Sequence, residues 1–271
     1  MLPEIDIFGF ELQTFGLMLA LALVSSGVLV AWRLRELGLP VDWAYEMLFF
    51  AGAGGIAGAK LWFVIENGDL GGLFSGTGLV FYGGAIGGAL AVMAWAHRRD
   101  LLDARLFDMG APGLAIGYAV GRIGCQLAGD GDYGIPSDLP WAMAYPDGTV
   151  PTTVEVHPTP IYEFLVMGAV TWWLWSRRDK ARPGTLIGWW AVLAGIERFL
   201  IEFIRRNEDI AGPFSLAQFV SVLMIVAGAW WLLRARSRAQ SSTTVPSSRS
   251  SAPRKARAAA ASSSRPTPTD L

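Results

Sequence analysis

The sequence has one cysteine and two histidines among 271 residues, so an internal disulfide is excluded and no Cys/His cluster has metal-ligand spacing. No positively charged stretch precedes the first apolar run and no small-residue cleavage site follows it. That run is therefore expected to be a retained helix and not a cleaved signal. No internal repeat of the kind seen in secondary transporters is visible, which weighs against a small-solute transporter. The net charge of −1 is small only because the two signs are segregated along the chain, so the total says little about partners.

Apolar residues are abundant. They make up 52% of the chain and give a mean hydropathy of +0.38, more apolar surface than one soluble core of this length would hide. They come in seven runs, at residues 13–32, 44–65, 79–96, 106–127, 160–175, 185–204 and 213–233, each near the roughly 20 residues that cross a bilayer. The expected fold is all-α: a polytopic membrane protein of seven transmembrane helices over residues 1–238. A polar, Pro- and Gly-rich segment at 129–159 is too long for an ordinary helix connection and is expected to form a small extracytoplasmic head. Residues 239–271, rich in Ser, Ala, Thr, Pro and Arg, read as a disordered basic cytoplasmic tail lying against anionic lipids.

Orientation follows from the cations, because short loops rich in Lys and Arg stay cytoplasmic. Every second connection carries them: Arg33 and Arg35; Arg98, Arg99 and Arg105; Arg177, Arg178, Lys180 and Arg182; Arg234, Arg236 and Arg238. The alternate connections are acidic, which puts the N-terminus outside and the C-terminus inside. Lys60, Arg122, Arg198, Arg205 and Arg206 break the pattern, each within or near the outer half of an expected helix. Charge at the edge of hydrocarbon is costly unless a partner or ligand compensates it, so the exceptions mark the expected site.

Four features converge there. Arg122 ends an otherwise small and apolar run and is followed by Asp130 and Asp132. ERFLIEFIRR at 197–206 reads as one helix in which Arg198 and Glu202, and likewise Glu202 and Arg206, share a face. An ion-pair ladder closing the bundle is the structural reading of these charges. Against it, Arg122, Arg198, Arg205 and Arg206 outnumber Glu197 and Glu202, and the planar guanidinium suits phosphate, which in a bilayer belongs to a lipid headgroup. The third feature is HPTPIYE, with His157 at the mouth of the fifth helix as a cap or a catalytic group. The fourth is Tyr82 with Gly83 and Gly84, where the glycines either let helices pack closely or let backbone approach a headgroup. Cys125 reads as a small buried hydrophobe.

With FYGGAIGG, GRIGCQLAGDGDYG, PWAMAYP, HPTPIYE and ERFLIEFIRR in this order, residues 15–233 resemble the phosphatidylglycerol–prolipoprotein diacylglyceryl transferases of bacterial lipoprotein maturation. The resemblance implies a multi-pass enzyme of the bacterial cytoplasmic membrane that takes phosphatidylglycerol in the outer leaflet. It moves the diacylglyceryl group to the lipobox cysteine of a prolipoprotein, forming a thioether and releasing glycerol phosphate. No cofactor, metal or nucleic acid is implied. Arg122 matches the family's essential arginine beside Gly121, and Arg198 with Glu202 its R-x-x-x-E pair; Asp130 or Asp132 stands near an acidic position. Three positions depart: Tyr82 stands where HGG has His, Cys125 where GRxGN has Asn, and Phe15 where a Tyr is common. The base could then be Tyr82, His157 or Glu202, or the chain could be a lipid-binding relative without turnover. A thiol acceptor, of pKa about 8.5, needs no strong base. Tyr82 is accordingly expected to lend a hydroxyl worth about 10–100-fold in rate.

Overall fold

The computed structural model describes residues 1–7, 9–68, 70–73, 80–206 and 214–243. Within them the chain forms seven α-helices: α1 Thr14–Glu36, α2 Asp42–Asn67, α3 Phe81–Arg98, α4 Ala104–Ala128, α5 Thr159–Ser176, α6 Thr185–Ile201 and α7 Leu216–Thr243. Each lies on one of the seven apolar runs. Among the described residues, three helical segments are long and apolar enough to cross a membrane by length and composition: α1, α2 and, within α7, Leu216–Ser237. The starts of the third and seventh runs and most of the expected tail lie outside the described residues. α7 itself continues to Thr243, past the expected boundary at residue 238, because no proline or glycine intervenes before Pro246.

Two small sheets depart from the all-α expectation. β1 (Glu4–Ile7) and β2 (Phe10–Gln13) form an antiparallel hairpin ahead of α1. Leu2 N donates to Leu127 O at 2.9 Å, seating this hairpin on the C-terminal end of α4. Within 129–159, β3 (Met143–Tyr145) pairs antiparallel with β4 (Thr152–Val156), and Pro136 bridges to Val156 on its other edge. Tyr133 stacks on Tyr145 at 4.8 Å, and Tyr145 donates to Gln126 of α4 at 2.9 Å, which ties the small sheet to the helix end. These strands are too short to show a period-2 pattern against the helical background, so the sequence did not reveal them.

α4 is the central helix, packing on α1, α5 and α6. Ala111, Ala115 and Ala119 form one buried face against Met167, Val170 and Leu174 of α5 and Leu186 and Ala194 of α6. Its glycines meet α1: a Cβ at Gly113 or Gly117 would press on Ser26, and one at Gly124 on Met18 at 2.9 Å. α1 and α4 are thus antiparallel, with the start of α1 beside the end of α4. α2 and α3 make a second close pair in which Gly54 and Gly58 face Gly83 and Gly87 with backbones in contact. This pair joins the rest chiefly through α1.

Candidate active site

The site is built where α4 and α6 end and α5 begins. Gly129, at φ +59° in the left-handed region, stops α4 and turns the chain into the loop that carries Asp130 and Asp132. α6 ends at Ile201, and Glu202–Ile204 form one tighter 3-10 turn before Arg205 becomes extended at φ −84°, ψ 162°. Ile135 N donates to Ile204 O at 2.8 Å and Gly134 bridges Arg205, so the loop after α4 holds the chain leaving α6. A side chain at Gly134 would meet the Ile204 carbonyl and His157, so this close approach needs glycine.

Three arginines point into the space so enclosed. Arg122 pairs through Nη1 with Asp132 and through Nε with Glu163 Oε2 at 2.9 Å. Arg205 pairs with the other oxygen of Asp132 and lies 3.7 Å from both Glu163 and Glu202. Arg198 pairs with Glu202 at 2.7 Å and lies 3.7 Å from Glu163. Glu163 therefore sits at the centre of all three guanidiniums, is fully buried, and also accepts from Tyr118 Oη at 3.0 Å. Tyr118 in turn lies under Arg122, with the guanidinium 5.0 Å from the ring centroid. Ser215 Oγ donates to Glu202 Oε1 at 2.5 Å, fixing that carboxylate from the start of α7.

The expected excess of cations is corrected by these pairs. Glu163 and Asp132, on other elements, supply the anions that Glu197 was expected to give. Glu197 is buried, and neither of its carboxylate oxygens has a hydrogen-bond partner among the described residues. The expected Glu202–Arg206 helical pair is also corrected. The helix has ended before Arg206, which is exposed and lies 5.8 Å from the Tyr133 ring centroid. Yet pairing is loosest at Arg205, whose buried Nε and Nη1 stand 3.7 Å from Glu202 and Glu163 without a directed hydrogen bond among the described residues. Such donors favour an anionic ligand able to meet their geometry.

The two loop aspartates differ. Burial pushes the Asp132 carboxyl up, but the Arg122 and Arg205 guanidiniums outweigh it and hold it down at about 2. Burial and the charge of Asp132 push the Asp130 carboxyl up instead. Asp132 is thus the acid committed to the arginines, while Asp130 accepts from Asp132 N at 3.3 Å. Cys125, Asp130 and Asp132 bring their donor atoms within 4.8 Å of one another, but both Asp132 oxygens already belong to arginines. Cys125 is buried, with its sulfur 3.7 Å from Arg122 Nη1.

His157 Nδ1 is 3.3 Å from Tyr162 Oη of α5, which accepts from Trp141 Nε1 at 2.7 Å. Thr159, two residues on, donates to the Asp132 carbonyl at 2.5 Å. Gly121 has open space where a Cβ would stand. Gly83 and Gly84 face α2, where a Cβ on Gly83 would strike Trp62 and the Gly58 carbonyl, so they serve helix contact and offer no headgroup space on that side. Tyr82 is 39% exposed, packs edge-on against Phe81 at 5.8 Å, and makes no hydrogen bond to a described residue. Glu163 and Tyr118 were the residues missed as ligands of the arginines. Glu163 was visible as a carboxylate inside an apolar helix, the same signal that marked Arg122.

Residues 4–234 match the family described as prolipoprotein diacylglyceryl transferase. A phosphatidylglycerol–prolipoprotein diacylglyceryl transferase of Clostridium tetani is 28% identical over 246 residues, covering 87% of this chain and 98% of that one. One from Pseudomonas fluorescens is 31% identical over 269 residues, with 89% and 98% covered. A relative from Methylobacillus flagellatus with the same name is 29% identical over 252 residues, with 84% and 94% covered. The family match over residues 4–234 takes in nearly all the helices, and the chain belongs to the prolipoprotein diacylglyceryl transferase family.

Proposed function

We propose that this chain transfers the diacylglyceryl group of phosphatidylglycerol to the lipobox cysteine of a prolipoprotein. The observation that carries the reading is the convergence of Arg122, Arg198 and Arg205 on the buried Glu163, with Arg205 Nε and Nη1 lacking a directed hydrogen bond among the described residues. Family membership and the names of the relatives support it.

In the reaction the acceptor sulfur, as thiolate, attacks the glyceryl carbon bonded to the phosphate oxygen. A C–S bond forms, the C–O bond breaks, and the electron pair leaves on glycerol phosphate; the thiol proton goes to solvent or to a carboxylate. The leaving group is already anionic, so donors fixed in a water-poor site are the largest expected contribution. Each is worth about 3–4 kcal/mol by analogy with other oxyanion stabilisers. Arg122 and Arg198 hold the phosphate. Arg205 completes the set, and Asp132, Glu163 and Glu202 keep the three forks aimed and apart. Such carboxylates offset the repulsion among three buried cations before substrate arrives. Asp130 borders the same opening, and His157 stays a candidate proton acceptor.

In this reading all seven helices span the membrane. The head at 129–159 and the N-terminus lie outside, and the basic end lies in the cytoplasm. The exposed apolar side chains along the helices suit contact with acyl chains. The direct test is purified protein incubated with phosphatidylglycerol and a lipobox peptide. Thioether-linked diacylglyceryl peptide and glycerol phosphate should appear in equal amounts; binding of phosphatidylglycerol without either product would establish a relative without turnover.

A further inference from the structure

The end of the bundle opposite Arg122 carries a second arginine cluster, with one member left over. There, where α1 runs into the short connection to α2, Arg33 pairs with Glu36 at 2.9 Å and Asp179 at 2.6 Å, and Arg178 pairs with Glu36 at 2.8 Å. These contacts staple α1 to the turn after α5. Arg35 takes no part: it is exposed and makes no ion pair or side-chain hydrogen bond with any described residue. With two carboxylates set against Arg33, Arg178 and Arg35, the cluster carries a net positive charge.

Arg35 stands where two hollows meet. One, of about 340 Å³, is walled by Trp32, Trp175, Glu36 and Arg35 itself, with the two indole rings 6.5 Å apart. The other, of about 200 Å³, is an apolar groove between α1 and α2 that shares Trp32 and Arg35 and continues past Ala31, Val28 and Val24, facing Ala44 and Leu48. Gly27 forms its floor, because a Cβ there would already touch Leu48 at 3.4 Å. From Arg35 to Val24 the groove runs about 16 Å at 1.5 Å per residue. That is half of a hydrocarbon core of about 30 Å, the depth of one leaflet. A cation at the mouth, indoles at headgroup level and an apolar slot one leaflet deep match an amphiphile with an anionic head.

We propose that this groove holds one anionic phospholipid of the leaflet opposite the transfer site, its phosphate on Arg35 and one acyl chain between α1 and α2. Glu36 does not repel the phosphate, since Arg33 and Arg178 already claim its carboxylate. The lipid is a fixed component that fills the gap between α1 and α2 and is not a donor for transfer.

The test uses the full chain in phosphatidylcholine nanodiscs containing a trace of phosphatidylglycerol with a photoactivatable acyl chain. A second sample carries the same label on phosphatidylcholine, and no acceptor peptide is added. Adducts on residues 24–48 should favour phosphatidylglycerol by about fivefold, and Arg35→Gln should remove that preference. Gly27→Leu, which fills the floor, should remove adducts with both lipids. Soluble glycerol phosphate in excess should not compete, since the acyl chain supplies much of the binding. Arg35→Gln should leave both adducts near Arg122 and the transfer rate unchanged, so this inference and the proposed function can fail separately. Equal labelling by the two lipids, or labelling by phosphatidylglycerol that persists in Arg35→Gln, would overturn the proposal.

Discussion

The α4–α5–α6 end and the α2–α3 pair each hold a glycine-rich motif, and the polar residues of the two motifs behave in opposite ways. In GRIGCQLAGDGDYG the glycines turn the chain and let loops close over charges, so that Arg122 meets Asp132 and Glu163. In FYGGAIGG the glycines press against Gly54 and Gly58 of α2, and the adjoining Tyr82 stays outside the charged cluster. Both motifs start from small residues. What separates them is whether a buried charge lies within reach of the space the glycines make.

The comparison breaks first at Glu163. Glu163→Gln removes the carboxylate shared by three arginines, leaving buried like charges in contact. We expect transfer to fall below detection and stability to drop by about 3–5 kcal/mol, measured by denaturant unfolding in detergent. If activity and stability both survive, the cluster is not organised around Glu163. On the packing side, Gly58→Leu should cost about 1–3 kcal/mol by forcing α2 and α3 apart. The catalytic rate of the molecules still folded should barely change, which single-turnover assays on the folded fraction would show.

The two aspartates sharpen the contrast through pH. Asp132, held at about 2, adds stability that is complete above its unfolded value near 4 and is lost as pH falls from there towards 2, about 2 kcal/mol in all. Asp132→Asn should remove this acid limb. Asp130, pushed up, has the opposite sign: its ionisation costs stability as pH rises through the unfolded value, so Asp130→Asn should raise stability slightly at neutral pH. Unfolding midpoints across acidic to neutral pH would reveal whether the two variants move in opposite directions. The smallest effect is expected at Tyr82. With no hydrogen bond to a described residue and a place on the separate helix pair, Tyr82→Phe should alter transfer by less than about threefold. A loss of 10–100-fold would return its hydroxyl to the reaction.

Periodicity and length were enough to locate all seven helices, because each apolar run must bury or face lipid as a unit. The sequence also marked Arg122, Arg198 and Glu202, since charge inside an apolar run demands compensation. It was silent on the partner choice. Glu163 lies 41 positions from Arg122 and 35 from Arg198, and only the packing of α5 against both α4 and α6 brings it to both. Arg206 misled for a local reason: helical spacing assumes a helix that continues, whereas the 3-10 turn at Glu202 leaves Arg205 in the cluster and Arg206 out of it. Gly83 and Gly84 could not be resolved from sequence, because the same small side chain permits a close helix or a close ligand.

The central claim is that Arg122, through its planar fork, serves the leaving phosphate at the carboxylate-lined end of α4. Initial rates of diacylglyceryl transfer from phosphatidylglycerol to a lipobox peptide test it directly, comparing wild type with Arg122→Lys at matched folded concentration. Lysine keeps the charge but cannot bridge Asp132 and Glu163 and still present a donor. The account predicts a fall of about 100–1,000-fold with a retained unfolding transition. Transfer by Arg122→Lys at the wild-type rate would contradict it.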